Sequence, residues 1–444
     1  MSEAARQLPV THALAGVGAW LWPATRELPP DVIERAKRLW LDTASCAWSG
    51  LRTPELQAWL GLQAEGDAGR VALPGVPHRL SAGAATVAFA QGACWDEACE
   101  GIAVAHGRPG VAVVAALWPE LARGAISWDG LWRATAAGYD IGARMGAQLR
   151  IKPGMHVDAV WSAFGAAAAI VHARGGDWAC AQRAIEACAC QLPLSLYRPI
   201  LDGANVRNTY LGHGAWLGVQ CAFAALAGYA MPQGAIEDIQ RIGLDGAPAG
   251  HMPAAGDWLL LQSYWKPFAA VRHVHYGAQA ALRLRHVLPA GQVPDGMELT
   301  VYPEAAQYCG NRAPRTVIAA QFSLSFGLAA AWIFGDLSGA EFREPRFGDP
   351  RVRALEERIT IVPDAAAFPG SRRGARLRVR HGGRSWDVEQ GAVTGDPGCE
   401  PDEAAVLAKY RRCTQDDPSM AAWAQQVRTS AAAEPVAAPE GARA

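Results

Sequence analysis

Two stretches of this sequence place histidines beside cations or glycine, within segments otherwise suited to burial. The stretch 266–275 begins with a lysine and contains Arg272 and His275, and the stretch 154–169 places His156 before an alanine-rich helix start. An imidazole titrates near neutral pH, and cationic side chains bind carboxylates. The two stretches therefore predict a pocket that holds a small anion and transfers a proton.

The composition places this pocket in a largely apolar and electrically balanced chain. Of the 444 residues, 50% are hydrophobic, and the formal net charge is −1. This balance argues against the basic surface that nucleic-acid binding requires, so we expect no nucleic-acid partner. Charged residues make up 19% of the chain. That fraction is below the ~25% of ordinary soluble domains and predicts extra buried surface, such as a subunit interface.

The ten cysteines include no Cys-x-x-Cys pair. The first residues lack the basic start and apolar core of a secretory signal, so we expect a cytoplasmic protein with reduced thiols. Cys188-Ala189-Cys190 could form a redox pair, although buried cysteines more often act as small apolar side chains. The apolar run 215–231 approaches the length of a membrane span, but its small side chains favour a buried helix. We therefore expect no membrane partner.

The first part of the chain shows the apolar periodicity of successive helices. Asp31 followed by Glu34 matches a capping box and predicts a helix that ends near Gly50. Alanine and glycine dominate the segments that follow and favour close packing between helices. Further helices are predicted over 82–95, 110–122, 129–147, 159–173, 178–191, 213–229 and 233–241.

The pattern changes after Trp265 to short alternating segments mixed with helices. Gly382-Gly383 indicates a hairpin between two of these segments. Strands are predicted over 298–302, 358–362, 375–381 and 385–390, and helices over 275–286, 317–334 and 403–413. The predicted fold class is mainly α with a smaller α+β domain. We expect a helical domain over 1–265 with 401–429 returning to it, an α+β domain over 266–400, and a disordered tail over 430–444.

Five segments carry a more specific signal, in the order Leu28–Thr43, Ala137–Arg144, Gly154–Gly165, Lys266–His275 and Ala320–Leu324. In this order they resemble the MmgE/PrpD family, which includes 2-methylcitrate dehydratase, cis-aconitate decarboxylase and iminodisuccinate epimerase. The resemblance covers about 14–412. It implies an all-helical body and an α+β lid with the active site between them. It also implies a homodimer and a lyase that uses no metal or organic cofactor.

The resemblance further implies the residues of the site. The catalytic candidates are His156, His275, Asp96 and His106. The substrate-binding candidates are Arg207, Lys266 and Tyr308, to which Arg272 is added because it lies beside them in the sequence. Arg207 stands where the family has a lysine, and the segment 96–100 departs from the family's Asp-Phe-Asp-Asp-Thr. Asp96 could instead belong to a buried ion pair, Arg207 could be a surface cation, and the histidines could be packed residues.

The first expectation is a dehydratase of the 2-methylcitrate type, acting on a small di- or tricarboxylate. Decarboxylation and epimerisation begin with the same proton transfer beside a carboxylate and stay open as alternatives. A catalytically inactive family member that acts as a binding protein is another. If the segment around His273 and His275 is extended, both rings share a side and could bind a metal with Asp96 or His106. The chain has no phosphate-binding glycine motif and no Gly-x-Ser-x-Gly motif.

Overall fold

The computed structural model describes residues 10–23, 26–66, 69–246, 252–289, 291–370 and 372–430. The tail predicted over 430–444 lies outside these residues, apart from Ser430. The described chain is mainly helical with one small mixed sheet, which agrees with the predicted fold class. None of its helices is long and apolar enough to cross a membrane.

The chain up to residue 246 forms helices that pack against one another around an alanine-rich centre. A 3-10 turn over Asn205–Thr209 joins two of them. The helices are α1 (Val10–Leu21), α2 (Pro30–Leu51), α3 (Pro54–Gly66), α4 (Ala82–Trp95), α5 (Pro109–Ala122), α6 (Trp128–Gln148), α7 (Ser162–Ala173), α8 (Trp178–Ala189), α9 (Arg198–Asp202), α10 (Tyr210–Leu226) and α11 (Ala235–Ile242).

Helix α7 is the centre of this arrangement, and its neighbours approach it closely because they are rich in glycine. A side chain added at Gly138 of α6 would lie 2.7 Å from the carbonyl oxygen of Gly165 in α7. A side chain at Gly218 of α10 would lie 2.4 Å from the carbonyl oxygen of Ala163. Every residue of α7 from 162 to 171 is buried. The loop that carries His156 therefore leads into a rigidly packed helix.

The elements after Trp265 surround a four-stranded sheet. The strands are β1 (Gly296–Val301), β2 (Ile359–Pro363), β3 (Ala375–His381) and β4 (Arg384–Gln390). Their order is β2-β1-β3-β4, with β1 and β2 parallel and the other pairs antiparallel. The accompanying helices are α12 (Arg272–Leu284), α13 (Pro303–Cys309), α14 (Val317–Gln321), α15 (Leu324–Phe334) and α16 (Pro350–Glu356).

The hairpin predicted at Gly382-Gly383 is confirmed. These glycines join β3 to β4 with φ angles of 57° and 75°. Positive φ at both central residues is the geometry of the two-residue turn that matches strand twist.

The last two helices return to the first part of the chain. They are α17 (Glu403–Thr414) and α18 (Pro418–Thr429), and both pack against α2. In the buried contact between α17 and α2, Lys409 Nζ donates a hydrogen bond to Asp42 Oδ1 at 2.5 Å. The boundaries at 265 and 400 stay a prediction.

Two local predictions are wrong for physical reasons. Helix α2 begins at Pro30 rather than at Asp31, because proline suits the first helical position. Asp31 then lies inside the first turn and forms no capping box. The helix predicted over 317–334 breaks into α14 and α15, because the Ser323 side chain accepts a hydrogen bond from the Phe326 amide and starts a new helix.

Candidate functional site

A cavity of about 370 Å³ lies between the helices of the first part and the elements after Trp265. We call it the site cavity. Three histidines line it, namely His106, His156 and His273. Its charged lining consists of six cations and three acids: Arg108, Arg150, Arg207, Lys266, Arg272, Arg373, Glu97, Asp158 and Glu304. Such a surplus of positive charge favours a small anion with more than one negative charge.

Glu97 holds three of these cations together. Its buried Oε2 accepts hydrogen bonds from Arg108 Nη1 at 3.0 Å and from Arg207 Nη2 at 2.5 Å. Its Oε1 accepts one from Lys266 Nζ at 2.8 Å. Burial alone would raise the pKa of this carboxyl, but the three positive charges outweigh it and hold the pKa well below its ordinary value. Glu97 is therefore an anion that orders cations rather than a proton donor.

Arg108 connects Glu97 to a second buried acid, Asp158. Its Nη2 donates a hydrogen bond to Asp158 Oδ2, and Arg207 Nη2 lies 3.8 Å from the same oxygen. Burial would raise the pKa of Asp158, but the positive charge of Arg108 leads the effects that lower it. With Lys266 the network holds three cations and two anions. One positive charge is left for a bound carboxylate.

His156 is fixed by its own backbone and lies beside this network. The preceding Gly154 has a φ of 86°, and the His156 amide donates a hydrogen bond to the Ser195 carbonyl at 2.7 Å. Its Nδ1 accepts a hydrogen bond from the Asp158 amide at 3.1 Å. Burial lowers the pKa of His156 to about 4. The ring is therefore neutral at pH 7 and carries its proton on Nε2.

His273 lines another wall of the cavity, at the first turn of α12. Its Nδ1 is hydrogen-bonded to the Tyr302 hydroxyl, and its ring stacks on Tyr308 with centroids 6.2 Å apart. Burial, followed by the charge of Arg373, lowers the pKa of His273 to about 3. The sequence interpretation named this residue only in the metal-binding alternative and not among the catalytic candidates.

His275 does not line the site cavity, in contrast to the prediction. Its Nε2 is hydrogen-bonded to the Ala270 carbonyl at 2.9 Å, and its Nδ1 lies 3.3 Å from Arg272 Nη1. Because α12 starts at Arg272, residues 273 and 275 are separated by about 200° around the helix axis. One ring therefore faces the cavity while the other is buried behind it. The metal-binding alternative required an extended segment at these residues, so the helical geometry contradicts that alternative.

Asp96 also lies outside the site cavity. It forms an ion pair, which was the alternative interpretation of this residue. Its carboxylate accepts hydrogen bonds from Ser49 Oγ at 2.6 Å and from Arg343 Nη2 at 2.7 Å. The next residue, Glu97, has a φ of 52°, a left-handed conformation that turns its side chain away from that of Asp96. Glu97 thus occupies the position in the site that the sequence interpretation assigned to Asp96.

The other predicted site residues all line the site cavity: His106, Arg207, Lys266, Arg272 and Tyr308. Arg207 and Lys266 are each 2% exposed, so neither is a surface cation. Arg272 donates a hydrogen bond to Asp396, and its guanidinium lies 4.9 Å from the centre of the Tyr264 ring. Tyr308 is 41% exposed and lies at the rim.

Two models of known domains match this chain. The model of the MmgE/PrpD N-terminal domain matches residues 23–244, and that of the MmgE/PrpD C-terminal domain matches residues 268–432. The chain belongs to the MmgE/PrpD family. A search of curated proteins finds no match. Membership of the MmgE/PrpD family supports chemistry of the dehydratase, decarboxylase or epimerase type.

Sequence reasoning missed several residues of this MmgE/PrpD site because their partners are distant in the chain. Arg108 and Asp158 are 50 positions apart, and Arg207 and Glu97 are 110 positions apart. No local periodicity in the sequence predicts such pairs. Other polar lining residues that were not predicted are Arg150, Tyr197, Tyr264, Glu304 and Arg373, and His273 was named only in the metal-binding alternative. Among the described residues, no group of three His, Cys, Asp or Glu side chains could hold a metal ion.

The lowered pKa values predict how stability depends on pH. Between pH 6.5 and about 4, unfolded His156 and His273 bind protons whereas the folded ones do not. The contribution of these two histidines to the free energy of unfolding should therefore fall as the pH decreases through this window, by about 1.4 kcal/mol per pH unit for each histidine. Urea denaturation across this pH range measures the slope. It should be shallower in His156→Gln and in His273→Gln, and an unchanged slope in both variants contradicts the assignment.

Proposed function

We propose that this protein is a lyase acting on a small di- or tricarboxylate, and specifically a dehydratase of the 2-methylcitrate type. The observation that carries this proposal is the pair of neutral imidazoles, His156 and His273, in a cavity with a surplus of cations. The first belongs to the segment matched by the N-terminal family model, and the second to the segment matched by the C-terminal one. A substrate seated between them contacts both.

The cations supply donors for substrate carboxylates. Among the described residues, Arg207 Nε and Arg272 Nε are buried and have no hydrogen-bond partner. A buried donor without a partner costs roughly 1–3 kcal/mol, so a shift of either guanidinium toward a bound carboxylate would remove that cost. An arginine in the Arg207 position offers a planar, two-pronged fork instead of the point charge of a lysine. We therefore expect Arg207 to orient a carboxylate as well as attract it.

Proton transfer needs one base and one acid. When His273 donates from Nδ1 to the Tyr302 oxygen, its Nε2 is a free base that can take the proton from the carbon beside a substrate carboxylate. Once it is charged, His156 can return the Nε2 proton to the leaving hydroxyl and keep its other proton on Nδ1, which lies 3.8 Å from Asp158 Oδ2. Burial lowers the pKa of His156 to about 4. A bound polyanion would raise it and charge this acid when the substrate arrives.

Tyr308 is the residue best placed to close the cavity. Its ring lies 5.5 Å from that of Tyr197 and 6.2 Å from that of His273, so it bridges the two parts of the chain. The Tyr197 hydroxyl donates a hydrogen bond to the Tyr308 carbonyl at 3.4 Å. We propose that residues 266–400 act as a lid that excludes water during the proton transfer.

Decarboxylation, epimerisation and binding without catalysis are the alternatives, and product analysis separates them. The protein is incubated with 2-methylcitrate, cis-aconitate and iminodisuccinate, and the products are followed by NMR. Formation of an alkene with loss of water supports the dehydratase. Release of carbon dioxide assigns the decarboxylase activity. Inversion at a carbon assigns the epimerase activity. Saturable binding of these anions with no product from any of them supports the binding protein and contradicts the proposed lyase.

We also propose a homodimer formed through helix α10. Trp216, Phe223 and Leu226 lie on one face of this helix and are exposed by 45%, 38% and 38%. Just beyond the helix, Tyr229 is 66% exposed. Contiguous apolar side chains on a surface usually mark an interface.

Light scattering at micromolar concentration should therefore give about twice the chain mass of 47.1 kDa. The double substitution Trp216→Glu and Phe223→Glu should reduce this to one chain mass, because charges are costly in a buried interface. Leu62→Glu is the matched control, since Leu62 is 67% exposed on α3. A wild-type protein that stays monomeric rules out the dimer.

A further inference from the structure

A second cavity, of about 600 Å³, lies on the other side of the segments that carry Glu97 and Lys266. We call it the basic cavity. Its five cations are Arg52, Arg343, Arg346, Lys409 and Arg412, and its two acids are Asp96 and Asp336. The cavity therefore has a surplus of positive charge in a chain whose formal net charge is −1. A concentration of arginines in a concave site is typical of oxyanion binding.

Two of these cations have hydrogen-bond donors that make no short contact within the described part of the protein. The Arg52 guanidinium lies 4.5 Å from the centre of the Trp48 ring and makes no hydrogen bond among the described residues. Arg412 makes only long contacts, at 3.5 Å to the Pro267 carbonyl and 3.9 Å to Asp336. By contrast, Lys409 is committed to Asp42 and the Ala98 carbonyl. Arg52 and Arg412 are thus the cations that a ligand would engage.

The segments that carry Glu97 and Lys266 form a wall that separates the basic cavity from the site cavity. Asp96 faces the basic cavity and Glu97 faces the site cavity, and in the same way Pro267 and Lys266 face opposite sides. The wall is tightly built. A side chain at Gly339 would lie 2.6 Å from Arg343 Nη1 and 3.0 Å from Asp96 Oδ2.

We propose that the basic cavity binds a compact multivalent oxyanion and that this binding is coupled to the site cavity. The oxyanion competes with Asp96 for Arg343, which holds Asp96 at 2.7 Å. A change in Asp96 is passed to Glu97, the next residue, and so to the three cations that Glu97 orders. By thermodynamic linkage, a substrate in the site cavity must change the affinity of the basic cavity by the same factor.

Two probes distinguish the kinds of oxyanion, inorganic pyrophosphate for phosphates and citrate for carboxylates. Each is titrated calorimetrically into the intact wild-type protein, and hydrogen exchange locates the site. At least one probe should protect residues 48–54 and 409–415. The double variant Arg52→Gln, Arg412→Gln should weaken that binding at least about tenfold, because each arginine supplies charge-assisted hydrogen bonds. Arg351→Gln, an exposed arginine outside both cavities, is the control and should bind as the wild type does.

The proposal fails if neither probe binds, if the double variant binds as tightly as the wild type, or if protection is confined to residues 150–158 of the site cavity. Circular dichroism shows whether the double variant folds. If it does not, Arg52→Gln alone replaces it, since Arg52 makes no hydrogen bond in the described chain. Coupling is measured by repeating the pyrophosphate titration in Glu97→Gln, with binding to the basic cavity identified by protection of residues 48–54 and 409–415. An unchanged affinity there removes the coupling.

Discussion

Replacing Glu97 by glutamine should lower the free energy of unfolding by about 3–5 kcal/mol, because Asp158 then remains as the one anion in a network of three buried cations. Arg108, Arg207 and Lys266 all donate to this one carboxylate. Urea denaturation in a buffer without polyvalent anions measures the loss. Added citrate should restore much of the stability, since its carboxylates can replace the missing charge in the site cavity.

The matched control for this substitution is Glu304→Gln. Glu304 also lines the site cavity, but its side chain is 41% exposed and lies 3.4 Å from Arg373. Exposed ion pairs contribute little, so this variant should change stability by less than about 1 kcal/mol. If Glu97→Gln is as stable as the wild type without added anion, the three cations do not depend on Glu97.

Replacing His156 by glutamine should leave the fold intact and reduce turnover at least ~10²-fold, the usual contribution of a positioned acid or base. We expect a loss of similar size in His273→Gln. The control is His381→Gln, in the hairpin between β3 and β4 and far in sequence from the site. Circular dichroism checks the fold of each variant, and steady-state kinetics with any substrate found in the product analysis gives the rates.

A folded His156→Gln that turns over at the wild-type rate removes His156 from the mechanism. The proton donor would then have to be another residue that lines the site cavity, first His106. His275→Gln gives a useful contrast. Its ring contacts Arg272 and the Ala270 carbonyl rather than the cavity. Its loss should therefore affect substrate affinity through Arg272 more than the proton-transfer step.

The helices and strands could be predicted from sequence because their signals are local. The segments 82–95 and 375–381 match α4 and β3 in the structure, since apolar periodicity and alternation depend only on neighbouring residues. The predictions of helices failed where a single residue decides whether a helix starts or ends. The helix predicted over 317–334 breaks because one serine, Ser323, caps a new start.

The site was harder to predict because the orientation of side chains depends on the exact backbone. The sequence pointed to the segments of Asp96 and His275, but the cavity is lined by their neighbours Glu97 and His273. The left-handed backbone conformation of Glu97 decides that Glu97, and not Asp96, lines the cavity. The start of α12 at Arg272 decides that His273, and not His275, lines it. Neither feature has a signal in residue types or spacing alone.

Proton–deuterium exchange tests the central claim most directly, because it detects proton transfer even where no product accumulates. The wild-type protein is incubated in heavy water with 2-methylcitrate and related carboxylates, and NMR follows the hydrogens on the carbon beside each carboxylate. Our account predicts exchange into at least one of them, slowed at least ~10²-fold in both His156→Gln and His273→Gln. Tight binding of these carboxylates without any exchange in the wild-type protein would contradict it.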